Sequence, residues 1–423
     1  MCVSDWNQKI KYVGMSALLA TLCLGAEAQQ AARPDLLERE TLTNNWFGTG
    51  AKLEEHGISL NLRLTGVYQY SLSGGVEQGI GRQSGSYDIE LELDMDAMVG
   101  LPGSTVFILG EGSWQGGAGF DTVAIGSIFG VNDDDGGERT LDITELWYQQ
   151  NLLDDRLRIR VGKLDLTGGF ECRGCPVAFD GNHYANDETA EFLNGALVNN
   201  PSIPFPDNGL GAVLYVEPME SWYFSIGVTD AEADARETGF STVSDGDSRY
   251  FYIAETGKVV HCDSPNGNLT GVYRIGVWND HGPKERLDGN GERTDDVGFY
   301  LSLDQELWRE NAKVDQGISV FARFGWADDA VNEIERFYSV GGQYKGFFPG
   351  RDNDIIGLGI AYANLNGAAG YAADCECAVE CYYNCALTPW LQISPSLQWV
   401  SNPDGDKSIH DAIIGGIRLQ TTF

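Results

Sequence analysis

Basic residues are scarce in this chain: Lys and Arg number 28 against 62 Asp and Glu, a net charge of −34. So acidic a polypeptide repels phosphate backbones, which excludes DNA and RNA as partners. It attracts cations instead. Proline is also scarce, 13 residues in 423, so few positions interrupt a strand ladder. The five histidines, His56, His183, His261, His281 and His410, fall in turns, loops or strand edges. None stands with a Ser and an Asp on one strand, so a strand-borne nucleophilic triad has little support, while one built from the loops stays open. No Gly-rich phosphate loop or dinucleotide fingerprint opens a helix. No run of 18 or more apolar residues occurs, which leaves no transmembrane helix. The expectation is a protein that catalyses nothing and needs no cofactor.

The first residues read as an export signal. Lys9 and Lys11 precede the apolar "VGMSALLATLCLG", and the run is followed by Ala26-Glu27-Ala28, a small-x-small cleavage pattern. Cleavage after Ala28 would remove Cys2 and Cys23 and leave seven cysteines, an odd number that cannot pair fully within one chain. The product is then secreted, periplasmic or carried in an outer membrane as a barrel.

The body of the chain alternates with period two. In "YDIELELDMDA", Tyr87, Ile89, Leu91, Leu93 and Met95 alternate with Asp88, Glu90, Glu92, Asp94 and Asp96. In "ISLNLRLTGVYQY", Leu60, Leu62, Leu64, Tyr68 and Tyr70 oppose Asn61, Arg63, Thr65 and Gln69. Such segments are strands with two unlike faces. A soluble β-sandwich would alternate too, but the connections decide against it. Sixteen strands can be drawn, near 58–70, 87–98, 104–114, 140–150, 157–165, 210–217, 222–230, 249–260, 269–279, 297–308, 317–327, 336–347, 354–363, 375–387, 391–400 and 412–423. Those near 104–114, 140–150 and 249–260 alternate poorly and are placed partly by spacing. Connections after odd strands are mostly long. Those after even strands are mostly short, as in "EPMES" and "TPW". Loops sorted by end, with an even strand count, predict an all-β fold: a 16-stranded antiparallel transmembrane β-barrel in an outer membrane, its outside facing lipid. The expected organisation is a signal peptide over 1–28, a short periplasmic segment with helix over 29–57, and the barrel over 58–423. The final Phe423, ending an alternating strand, resembles the signal read by outer-membrane assembly machinery.

Four cysteines crowd "CECAVECYYNC". Cys375, Cys377, Cys381 and Cys385 share odd parity with Val379 and Tyr383, opposite Glu376, Glu380 and Asn384. The polar face lines the lumen, so these thiols are expected to point at lipid as small apolar side chains. No C-x2-C pair or nearby His completes a zinc set there, and no metal is expected. Cys172 and Cys175, the one C-x2-C, are expected to form a local loop disulfide. The run "DDDGGE", Asp133 to Glu138, lacks the EF-hand spacing and reads as solvated loop acid.

Parity also nominates the pore lining: Arg63, Glu90, Glu92, Asp94, Arg158, Arg160, Arg274, Trp278, Arg323 and Arg418, with Tyr300 beside Trp278. Opposed guanidinium and carboxylate rows would set a transverse field and offer hydrogen bonds to a polar solute. They could equally pair among themselves and only keep the wall solvated. The longest connection, 166–209, carries the apolar "FLNGALV", which is expected to fold into the barrel mouth and narrow it.

Over most of its length after the signal the chain resembles the OprB-type carbohydrate-selective porins. The likeness rests on "ELWYQQNLLDDRLRIRVGKLDLTGGF", "YANDETAEFLNGALVNNPSIPFPDNGLGA", "LTPWLQISPSLQWVSNPDG" and the terminal "GIRLQTTF". The resemblance implies a 16-stranded outer-membrane barrel for passive diffusion of small sugars. Two other functions fit the composition: a general cation-preferring porin, and a structural outer-membrane protein whose acidic loops bind ions. Assembly as a homo-oligomer is compatible with each.

Overall fold

Alternating side-chain chemistry fixes the strands, and the strands close. The structure, a computed structural model, describes residues 35–167, 169–170, 192–233 and 249–423. Sixteen antiparallel strands form one closed barrel. They are β1 (Ile58–Gly75), β2 (Gly81–Asp94), β3 (Ser104–Gln115), β4 (Arg139–Leu152), β5 (Leu157–Leu164), β6 (Gly209–Met219), β7 (Trp222–Asp230), β8 (Tyr250–Ser264), β9 (Gly267–Asp280), β10 (Asp296–Arg309), β11 (Gly317–Ala327), β12 (Ile334–Lys345), β13 (Ile355–Leu365), β14 (Cys375–Thr388), β15 (Leu391–Ser401) and β16 (His410–Thr422). Each pairs with its neighbours in sequence, and β1 closes on β16 with Arg63 opposite Thr422 and Tyr68 opposite Ile417. The Phe423 amide donates to the Leu62 carbonyl, which extends that seam to the last residue. Closure leaves no unpaired edge, the condition for a sheet in hydrocarbon. A two-stranded ribbon, Lys284–Glu285 with Glu292–Arg293, stands apart in the loop after β9.

The outer face is an apolar belt. Ile275, Val340 and Leu397 are about half exposed, and so are Leu214, Phe224, Ile360 and Ile417, while inward neighbours such as Arg274, Ser339 and Gln398 are buried. A register slip of one residue would exchange these faces. With the apolar belt outward, the chain is built as a membrane-spanning β-barrel. The four cysteines of β14 follow the same rule. Cys381 is exposed on the outer face and Cys375, Cys377 and Cys385 are partly so, while Glu376, Ala378 and Glu380 are wholly buried inside. All four are free thiols, as is Cys262.

Some details differ from the alternation. β2 ends at Asp94, and Met95–Val99 form a short helix instead of continuing the strand. The Asp94 carboxylate accepts from the Asp96 and Ala97 amides at 2.9 and 3.2 Å, so Asp94 caps that helix and does not line a pore. In β4 the pairing with β3 shifts between Leu109 and Gly110. The bulge puts both Ile143 and Leu146 on the outside, which is why this strand alternates poorly. Inward glycines make room for tyrosine rings: a Cβ on Gly276 would lie 2.0 Å from the Tyr300 ring, and one on Gly357 would lie 2.1 Å from Tyr382.

Ahead of the barrel, residues 44–47 form a single left-handed turn and Thr49–Glu54 a right-handed helix. Asn44 and Asn45 suit the left-handed region; Trp46 and Phe47 do not, and each costs about 1–2 kcal/mol there. The Trp46 indole donates to the Leu60 carbonyl at 2.8 Å, tying this segment to β1. Leu36–Glu38 make a single 3₁₀ turn. The expected signal peptide, like Cys172 and Cys175, lies outside the described residues.

Candidate functional site: a loop-narrowed lumen

Two loops between strands turn inward. Residues 116–138 contribute Phe120, Ala124, Ile125, Phe129 and Val131; residues 192–206 contribute Phe192, Ala196, Leu197 and Val198. These side chains pack on Phe321, Phe337, Ala361, Ala378, Tyr382, Val400 and Ile414 of β11–β16 and are buried together. Their burial explains why an apolar loop can sit in a polar lumen. The expectation that "FLNGALV" folds inward therefore holds for residues 192–198. A second apolar cluster, Leu166, Phe170, Ile203, Tyr215, Tyr223, Phe251, Trp278 and Tyr300 among others, fills the opposite wall.

Wall side chains hold the loops. The Glu380 carboxylate, wholly buried, accepts from the Leu193 amide at 3.0 Å and the Asn194 amide at 2.8 Å. Four residues earlier on β14, Glu376 accepts from the Ser127 hydroxyl and from the Ile128 and Asp404 amides. Gln69 and Gln398 both donate to the Val131 carbonyl. Arg323 donates to the carbonyls of Leu197 and Val198, and Arg418 lies 3.5 Å from Asp134. The two loops also bond each other, Asp133 amide to Leu193 carbonyl and Gly195 amide to Gly130 carbonyl.

Open space remains along β1–β4. A cavity of about 370 Å³ is lined there by Arg63, Thr65, Ser86, Asp88, Glu111, Ser113, Asp133, Asp134, Arg139, Gln392 and Gln420. Arg63 pairs with Glu90 at 3.4 Å while staying half exposed. Asp88 lies directly opposite Glu111 in the β2–β3 pairing. Asp133 and Asp134 come from "DDDGGE", so this acidic loop run borders the lumen, where Asp133 and Glu138 remain exposed to water. The reason is the clamp on Val131, two residues before Asp133. Burial pushes both carboxyls above the usual carboxylate range, and for Asp133 the neighbouring Asp134 charge adds to it.

The nominated residues sort into distinct places. Arg63 and Glu90 form the half-exposed ion pair at the cavity. Glu92 is exposed on the same strand. Arg158 and Arg160 are partly exposed on the inward face of β5. The Arg160 guanidinium lies 3.9 Å from the centre of the Trp147 ring and donates twice to Gln149. Phe107 stacks on Trp147 at 4.8 Å. Arg274 is buried against Asp304 at 2.6 Å. Trp278, Arg323 and Arg418 are also at most 5 % exposed. These four point inward as parity requires, but packing seals them from a passing solute. Tyr300 is sealed likewise, its hydroxyl bonded to Glu255. Sequence reasoning missed Glu111, Arg139 and Trp147, all on the two strands flanking the bulge, and it missed the loop-holding role of Glu376 and Glu380.

Comparison with known proteins agrees with this architecture. The carbohydrate-selective porin, OprB family, matches residues 80–423. Porin B of Pseudomonas aeruginosa is 25% identical, with 97% of each chain covered. The putative porin QuiX of Acinetobacter baylyi is 19% identical over 96% of this chain and 98% of its own. Among solved structures, the high pH structure of Pseudomonas putida OprB superposes with a TM-score of 0.79 at 20% identity, covering 91% of this chain and 99% of the other. A barrel of the right size, a lumen narrowed by its own loops and a match over most of the sequence lead to one assignment: this chain belongs to the carbohydrate-selective porin, OprB family.

Proposed function

We propose that this protein is an outer-membrane pore through which small sugars diffuse down their gradient. The observation that carries the reading is the cavity beside β1–β4, where guanidinium, carboxylate, amide and hydroxyl groups converge on open space. A sugar hydroxyl both donates and accepts, so such a mixed lining can replace its water on several sides at once. Arg63 and Arg139 present planar forks that match neighbouring hydroxyl oxygens, a geometry lysine lacks. Arg160, steadied on Trp147, and Arg158 extend the polar path along β5. No step of covalent chemistry is involved; the work is desolvation and resolvation along the wall. Phe423, bonded into the seam at the end of β16, serves as the mark by which assembly machinery recognises the chain.

A cation-preferring pore is the second reading, and one observation favours it: carboxylates outnumber guanidinium groups around the cavity. Planar-bilayer recording tests both. Discrete conductance steps, reduced by added sugar, support the first. Steps with strong cation selectivity and no response to sugar support the second. A bilayer that stays silent with folded protein contradicts both.

A further inference from the structure

The cavity carries an imbalance that a neutral sugar does not use. Asp88, Glu111, Asp133 and Asp134 line it against Arg63 and Arg139. Adding the ion-pair partners Glu90 and Arg418 leaves the excess of negative charge unchanged. Asp88 and Glu111 face each other directly across adjacent strands; Arg63 stands opposite Asp88 on its other side in the β1–β2 pairing, with its ion pair made to Glu90. Like charges so placed repel, and a cation resting between them would offset that repulsion further than Arg63 does from one side. Close by, the Ser113 hydroxyl and Arg139 Nε are buried with no hydrogen-bond partner among the described residues. Ser113 is two residues from Glu111 and pairs with Arg139 across the β3–β4 ladder. Unused donors thus stand about 7 Å along the strand from this facing acid pair, comparable with the span of one pyranose ring.

We propose that this pore selects cationic sugars, amino hexoses whose ammonium rests between Asp88 and Glu111 while ring hydroxyls accept from Ser113 and Arg139. The inference rests on the sugar-pore reading and names its substrate class. An ammonium donates three hydrogen bonds and neutralises one charge, which suits two facing carboxylates. Attraction to each carboxylate at about 5 Å in a water-like medium favours the cation by about fourfold.

The test is liposome swelling with the purified full-length protein, using glucosamine, N-acetylglucosamine, glucose and choline as separate solutes at pH 7. The expected result is faster flux of glucosamine than of its neutral N-acetyl counterpart, severalfold, with choline slower than glucosamine. In the double variant Asp88→Asn, Glu111→Gln the glucosamine to N-acetylglucosamine ratio falls toward one. The single change Glu111→Gln, which relieves the repulsion, moves the ratio in the same direction and serves if the double variant does not assemble. Equal flux of glucosamine and N-acetylglucosamine in the parent overturns the proposal. Choline as fast as glucosamine also overturns it, in favour of a general cation pore. A ratio unchanged by either variant removes Asp88 and Glu111 from the selection. No flux of any sugar, glucose included, would instead count against the sugar-pore reading itself.

Discussion

Replacing Glu380 with Ala should release the inner loop and widen the pore. The carboxylate is wholly buried and accepts the Leu193 and Asn194 amides at 2.8–3.0 Å. Removing it leaves two buried N–H groups unsatisfied, about 1–3 kcal/mol each. Arg323 on the Leu197 and Val198 carbonyls and Gln398 on Asn194 remain, so the barrel itself is unaffected and the loop is loosened without being lost from the chain. A cost near 3 kcal/mol shifts the loop's packed-to-released ratio by about a hundredfold. Glu380→Gln keeps an acceptor oxygen and should fall between parent and Ala. The assay is single-channel conductance in KCl with the protein refolded in detergent, folding being checked by heat-modifiable migration on a gel. Conductance and size cut-off should rise in the order parent, Gln, Ala. A folded Ala variant with parental conductance would show that these bonds do not hold the constriction.

Other consequences are testable in the same preparations. Changing Cys377 and Cys381 to Leu should leave folding and conductance nearly unchanged, because both thiols face outward; zinc bound by the parent and lost in that variant would contradict the facing. Changing Arg158 and Arg160 to Gln removes two positive charges from the lumen and the Trp147 stacking partner; reversal potentials in a KCl gradient should shift toward higher cation selectivity and sugar flux should drop, and no change in either would reduce these residues to solvation of the wall. Asp304→Ala removes the carboxylate that Arg274 meets at 2.6 Å in a buried ion pair and should cost about 3–5 kcal/mol, read as a lower urea midpoint for unfolding; an unchanged midpoint would refute the buried pairing. Asp133 is pushed up to about 7 by burial and by Asp134, so it takes up a proton as pH falls from 8 to 5. Cation selectivity should therefore decrease over that interval in the parent and stay flatter in Asp133→Asn; parallel profiles would show that another group titrates.

The barrel was legible in the sequence because lipid and lumen impose opposite chemistry on alternate residues. Leu397 against Gln398, or Ile417 against Arg418, leaves little choice of face. Loop lengths then ordered the strands, and closure followed from their even number. What alternation could not disclose is what meets the inward face. Arg274, Arg323, Arg418 and Trp278 point inward as expected, but a loop or a partner side chain meets each of them, and strand parity says nothing of either. Glu376 and Glu380 looked like lumen acids and are loop anchors, because they accept from backbone amides of loop residues as far as 248 and 187 positions away. Trp147 and Arg139 were hidden by the bulge in β4, which breaks the period that would have revealed them. Asp133 and Asp134 looked like surface acid; the signal available was "IFGV" just before them, an apolar stretch too large for an exposed tip.

Sugars are proposed to pass through the space beside β1–β4. Liposome swelling with a panel of sugars and neutral amino acids of equal size tests this most directly. Faster swelling in the sugars, declining with ring number, is the predicted result. Equal rates for sugars and amino acids, or no swelling with folded protein in the membrane, would contradict it.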